Sequence, residues 1–97
     1  MRIISRKPLR DFATRFPDSE EQLSVWWAEA KAAKWMNHAD VKAHYRNASL
    51  LKKSRVVFNI CGNKYRLIVK FEYEMQLGFI RFVGTHKEYD KINAEEV

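Results

Sequence analysis

"RVVFNICGNKYRLIVKFEYEMQLGFIRFVG", residues 55–84, decides the fold. Its three runs RVVFNI, YRLIVKFEY and FIRFVG are rich in β-branched and aromatic side chains, which suit pleated, half-buried backbone. Between the first two, CGNK supplies a Gly-Asn pair for a tight turn, and EMQLG separates the second run from the third. Two reversals of direction make an antiparallel meander. Along the middle strand the side chains alternate, so Lys64, Arg66 and Ile68 are expected on one face and Tyr65, Leu67 and Val69 on the other. One face therefore carries cations.

The chain ahead of the meander changes period. MRIIS, with Ile3 and Ile4, reads as a short first strand. In KPLRDFATRF, Leu9, Phe12, Ala13 and Phe16 recur at helical spacing, with Pro8 suited to an early helical position and Pro17 beyond the end. A second helix follows, capped by Asp18 or Ser19, with Glu20 and Glu21 complementing its dipole and Leu23, Trp26, Trp27, Ala30 and Ala33 forming one apolar stripe. Residues 37–53 read as mostly loop with strongly positive charge, and residues 85–97 as a loop or a short terminal helix. The expected fold is α+β, with the N-terminal strand and two helices packed on one face of an antiparallel sheet whose other face is partly open.

A length of 97 residues predicts a single domain spanning 1–97. Eighteen Lys and Arg against 12 Asp and Glu leave a net charge of +6 on a chain that is 46% hydrophobic, so the excess cations sit on a folded body. An acidic partner is favoured, and RNA, DNA, an anionic membrane and an acidic protein all qualify. The lone Cys61 excludes an internal disulfide, and MRIISRKPLR lacks the pattern of a signal peptide, which points to a reducing cytoplasm. No apolar run reaches membrane-spanning length, so no membrane partner is expected. His38, His44 and Cys61 make no metal motif of known spacing, and neither a metal nor another cofactor is expected.

Polar residues with chemical meaning gather at the end of the meander. Arg66 and Arg81 sit in mid-strand, and His86, Lys87 and Tyr89 follow the last strand at once. The bland reading sends both arginines to solvent on the uncovered face and makes His86 a surface residue hydrogen-bonded to Asp90 or to backbone. Taken together they suit a different task. An imidazole exchanges a proton at a pKa of about 6.5, a phenol donates or positions, and a guanidinium holds a phosphate through two hydrogen bonds. These are the parts required to cleave RNA without a metal, by attack of a ribose 2′-hydroxyl on the adjacent phosphate. His38 and His44 read as solvated residues or phosphate contacts, and Lys42, Arg46, Lys52, Lys53 and Arg55 as either a solvated charge run or a track for a nucleic-acid backbone. Trp26 and Trp27 are expected in the core, while Trp35 fits the core or a base-stacking role equally.

VVFNICGNKYRLIVK and IRFVGTHKEYDKI resemble the HigB-type toxins of bacterial type II toxin–antitoxin modules, within the RelE/ParE-like superfamily. Phe58, Asn59, Gly62, Asn63 and Arg66, then Thr85, His86, Glu88, Tyr89 and Asp90, carry the likeness. The resemblance implies a RelE-like fold and an endoribonuclease that cleaves messenger RNA on the translating ribosome. It also implies silencing by a HigA-type antitoxin with a helix-turn-helix domain. Arg66, His86 and Tyr89 are the expected catalytic residues, with Lys64, Arg81, Lys87 and Asn63 as RNA contacts. The alternative is a ParE-like toxin that poisons a topoisomerase without catalysis, which would have no use for the acid–base pair His86 and Tyr89. A plain RNA-binding module would need exposed stacking aromatics, and Tyr65, Phe71 and Tyr73 do not form the motif of the common RNA-binding sheet domain.

Overall fold

The computed structural model describes residues 1–97. In chain order the elements are β1 (Arg2–Ile4), α1 (Lys7–Arg15), a 3-10 turn (Pro17–Ser19), α2 (Glu20–Ala32), α3 (His38–His44), β2 (Ser49–Leu50), β3 (Arg55–Ile60), β4 (Tyr65–Glu72), β5 (Leu77–Thr85) and α4 (His86–Tyr89). The sheet order is β1-β5-β4-β3-β2. The meander β3-β4-β5 is antiparallel, as its turns require, whereas β1 joins the outer edge of β5 in parallel. The helical crossover after β1 makes that parallel pairing possible. The structure is thus α+β, with a mixed sheet.

Alternation decides which side of the sheet meets the helices. Val56, Phe58 and Ile60 of β3 and Tyr65, Leu67, Val69 and Phe71 of β4 are buried in one core with Leu9, Phe12, Leu23, Trp26 and Ala30 of the helices. Each large apolar side chain buried there contributes about 1.5–3 kcal/mol. Aromatic edges lock the layers together, Trp26 on Phe58 at 5.3 Å between ring centroids and Phe12 on Tyr65 at 5.1 Å. Trp35 is 4% exposed and stands edge-on to Phe71, so its place is in the core. Trp27 is half-buried, with the Arg6 guanidinium over its ring.

Several expectations need correction. Residues 37–53 are more ordered than a loop: Asn37 accepts the Asp40 N–H and caps α3, and β2 pairs with β3. Elements this short leave little periodicity to read. His38 is half-buried, its Nδ1 bonded to the Tyr73 hydroxyl at 2.5 Å and its Nε2 to the Leu51 carbonyl oxygen at 3.1 Å. It is therefore a structural link rather than a solvated residue. Neither Asp18 nor Ser19 caps α2 with its side chain. The Ser19 hydroxyl donates to Phe16, and Asp18 is recruited by the sheet instead.

The second face of the sheet is also less open than expected. Val57 and Ile68, opposite each other in β3 and β4, are 2% and 0% exposed yet point away from the helices. The segment beyond α4 returns across this face with Ile92 and Val97 half-buried, and ends where Arg55 and Arg81 donate to the Val97 main-chain oxygen. Two apolar residues among polar neighbours gave no periodic signal of that strap. A bulge in the β4–β5 pairing brings Arg81 into it, since Ile68 pairs with Phe82 and Val69 with Ile80, leaving Arg81 over.

Candidate active site

The tight turn after β3 builds the first wall of the site. Cys61 and Gly62 both take positive φ, 53° and 66°, a conformation glycine adopts without strain. The turn closes with a Lys64 N–H bond to the Cys61 carbonyl oxygen at 3.2 Å. Side chains from the helical layer hold it in place. Gln22 Oε1 accepts the Cys61 N–H at 2.7 Å, and Asp18 accepts from the Tyr65 hydroxyl at 2.6 Å and from the Lys64 ammonium. These bonds, the Lys64 bond foremost, hold the Asp18 carboxyl below its ordinary range, and the same carboxylate raises the pKa of Lys64 and Tyr65. Lys64 precedes β4, so strand alternation does not govern it, and its ammonium turns to Asp18 rather than following Arg66.

Arg66 is the central group. It lies on the face away from the helices, yet it is only 9% exposed, unlike the solvated sheet arginine of the bland reading. Its Nη1 donates to the main-chain oxygens of Asn63 at 3.1 Å and Tyr65 at 3.2 Å, so the turn itself orients the guanidinium. The Nε and Nη2 edge makes no hydrogen bond within the protein, and no carboxylate lies within salt-bridge reach. Burying a cation without a counter-ion is costly. A free guanidinium edge of this kind can hold an anion through two parallel hydrogen bonds.

The second wall comes from the end of β5. Gly84 pairs with Arg66 across the ladder, and a Cβ there would stand 2.5 Å from Phe82 Cζ and 3.2 Å from Glu88 Oε1. Only glycine keeps this space clear. The His86 N–H donates to the Lys64 carbonyl oxygen at 2.9 Å, tying the start of α4 to the turn that holds Arg66. A reciprocal cap then folds α4: Glu88 N–H donates to Thr85 Oγ1 at 3.1 Å, and Thr85 N–H to Glu88 Oε1 at 2.8 Å. The Thr85 N–H bond chiefly depresses the Glu88 carboxyl.

This short helix presents both remaining groups. His86 Nδ1 lies 3.1 Å from Asp90 Oδ2, the pairing of the bland reading, and a proton held between them leaves Nε2 bare toward solvent. The Tyr89 ring stacks over the Arg66 guanidinium at 5.7 Å and meets Phe82 at 6.4 Å. Asn63 and Lys87 are exposed around this group. Arg66, His86, Tyr89, Asn63 and Lys87 thus gather at one end of the sheet, whereas the Lys64 ammonium is drawn aside to Asp18. Arg81 stands apart, on the strap with Arg55. Sequence reasoning missed the roles of Asp18 and Gln22, which hold the turn from 39 to 47 residues away, a distance with no local signal.

At this end of the sheet a buried guanidinium with an unpaired edge lies beside an exposed imidazole and a phenol. The HigB toxin family, described as the RelE-like toxic component of a toxin–antitoxin system, matches residues 19–92, and the chain belongs to it. It is 30% identical over 96 residues to the mRNA interferase toxin HigB of Escherichia coli strain K12, covering 97% of this chain and 92% of that protein. The mRNA interferase HigB of Shigella flexneri gives the same identity and coverage. Identity falls to 23% over 94 residues with the mRNA interferase HigB of Escherichia coli O6:H1 strain CFT073, covering 95% of this chain and 91% of that one.

Proposed function

We propose that this toxin is an endoribonuclease that cleaves messenger RNA during translation on the ribosome and is neutralised by a HigA-type helix-turn-helix antitoxin. The observation that carries the reading is the unpaired Nε and Nη2 edge of the buried Arg66, with no carboxylate against it. The names of the relatives, all mRNA interferases, and the net charge of +6 support it.

In this mechanism Arg66 takes two oxygens of the scissile phosphate and stabilises the charge that gathers on them as the ribose 2′-oxygen attacks phosphorus. One proton leaves the 2′-hydroxyl and one reaches the departing 5′-oxygen. His86 Nε2, with Nδ1 paired to Asp90, carries one transfer, and the Tyr89 hydroxyl positions the phosphate or carries the other. Lys87, Asn63 and the exposed rim of Lys64 add contacts to neighbouring phosphates, and Arg81 adds charge further along the sheet. The reaction ends in a 2′,3′-cyclic phosphate and a free 5′-hydroxyl.

The test is cleavage of a translated message by variants whose folding is checked by thermal melting. His86→Ala and Tyr89→Phe are each expected to slow cleavage by about 10²–10⁴-fold with unchanged melting, since both residues lie outside the apolar core. Arg66→Ala is expected to weaken RNA binding as well. Wild-type cleavage by all three folded variants would place the chemistry elsewhere.

A further inference from the structure

Arg66 shares its face of the sheet with a second pair of guanidiniums. Register puts Asn59 opposite Arg66, Val57 opposite Ile68 and Arg55 opposite Lys70, and residues paired in this way project to the same side. Arg55 is 8% exposed. Its Nε and Nη2 converge on the Val97 main-chain oxygen at 2.9 and 2.5 Å, and Arg81 Nε reaches the same oxygen at 3.2 Å. Beside them the Lys53 ammonium holds the Glu96 carboxylate at 2.5 Å. No acidic side chain pairs directly with either arginine. Two parallel donors from one guanidinium edge, a third from another and an ammonium alongside form the donor set that suits a phosphate, here filled by oxygens of the chain's own strap.

We propose that Arg55, Arg81 and Lys53 form a second phosphate subsite for the RNA strand bound at Arg66, and that residues 93–97 occupy it until the strand displaces them. The inference rests on the reading of Arg66 as the scissile-phosphate site. Four residue steps along β4 lead from Arg66 to Lys70, the partner of Arg55, or roughly 13 Å at the rise of a strand. A strand of a few nucleotides spans that gap, and a trinucleotide centred on Arg66 does not fill both ends. Glu96 and the Val97 oxygen then act as internal competitors. Any strand bound across the sheet has to replace their bonds.

The experiment is anisotropy with 2′-O-methyl RNA, which binds through phosphates and has no 2′-hydroxyl to react, using a long strand and a trinucleotide. Arg81 is the residue to change because it is exposed and outside the core. Arg81→Ala is expected to weaken the long strand, to lower the slope of log affinity against log salt by about 0.7, and to leave the trinucleotide unaffected. Glu96→Gln, which removes the competing charge, is expected to tighten the long strand. Equal loss for both lengths, an unchanged salt slope, or a wild-type protein that binds neither strand would overturn the subsite. Length-dependent loss in a protein that does not cut a translated message would uphold the subsite and sink the cleavage reading. Cleavage with an unchanged Arg81→Ala slope would do the reverse.

Discussion

Arg66 is oriented by main-chain oxygens and, through the turn that carries them, by two side chains of the helical layer. Its Nη1 is held by main-chain oxygens of Asn63 and Tyr65, and the turn carrying them is held by Asp18 and Gln22. Asp18 is therefore a positioning residue. Asp18→Asn removes the charge that accepts from Lys64 and Tyr65, and it is expected to slow cleavage by about 10-fold to 10²-fold, since small misplacements of a reacting group carry penalties of that size. The shape of the pH–rate profile should not change, because Asp18 moves no proton of the reaction. A reshaped profile, or an unaltered rate, would remove Asp18 from this role. Sequence alone singled out Arg66, His86 and Tyr89 by type and place, but Asp18 looked like a helix cap because capping is local and its true partners are 46 and 47 residues away.

At the scale of elements, the site depends on how β5 ends. The ladder continues through the His86 N–H to Lys64, and the Thr85–Glu88 cap turns the chain sharply enough to bring Tyr89 back over Arg66. Losing a side-chain cap of this kind costs about 0.5–2 kcal/mol. Thr85→Ala is accordingly expected to lower the melting midpoint and the cleavage rate together, while Thr85→Ser, which keeps the acceptor oxygen, restores both. A Thr85→Ala protein with normal cleavage would show that α4 does not set the geometry. The meander was legible because its strands are long and β-branched, and so were α1 and α2 because their apolar spacing is regular. The strap across the second face was not, because half-buried Ile92 and Val97 are held there chiefly by arginine bonds to a main-chain oxygen, which have no sequence pattern.

Over the whole molecule, four carboxylates tie layers or elements together, and each is held below its ordinary range. Lys64 does this chiefly for Asp18, the Tyr45 hydroxyl for Glu29, the Thr85 N–H for Glu88 and Lys53 for Glu96. Because the folded values are depressed, their stabilisation is complete above the unfolded carboxylate values of 3.8 and 4.5 and is lost as pH falls through the folded ones. Thermal melting is expected to hold steady above that range and to fall below it, with the Asp18→Asn protein losing less on acidification. A melting midpoint that rises as pH drops below about 4 would contradict this linkage.

The central claim is that Arg66, His86 and Tyr89 drive attack by a 2′-hydroxyl, and the ends of the cut RNA report on it directly. A message cleaved by the purified protein in a translation extract should carry a 2′,3′-cyclic phosphate, or the 3′-phosphate it hydrolyses to, on one side and a 5′-hydroxyl on the other. Replacing the ribose at the cut position with deoxyribose should abolish that cut. A 5′-phosphate beside a 3′-hydroxyl, or cleavage that survives the deoxyribose, would contradict the account.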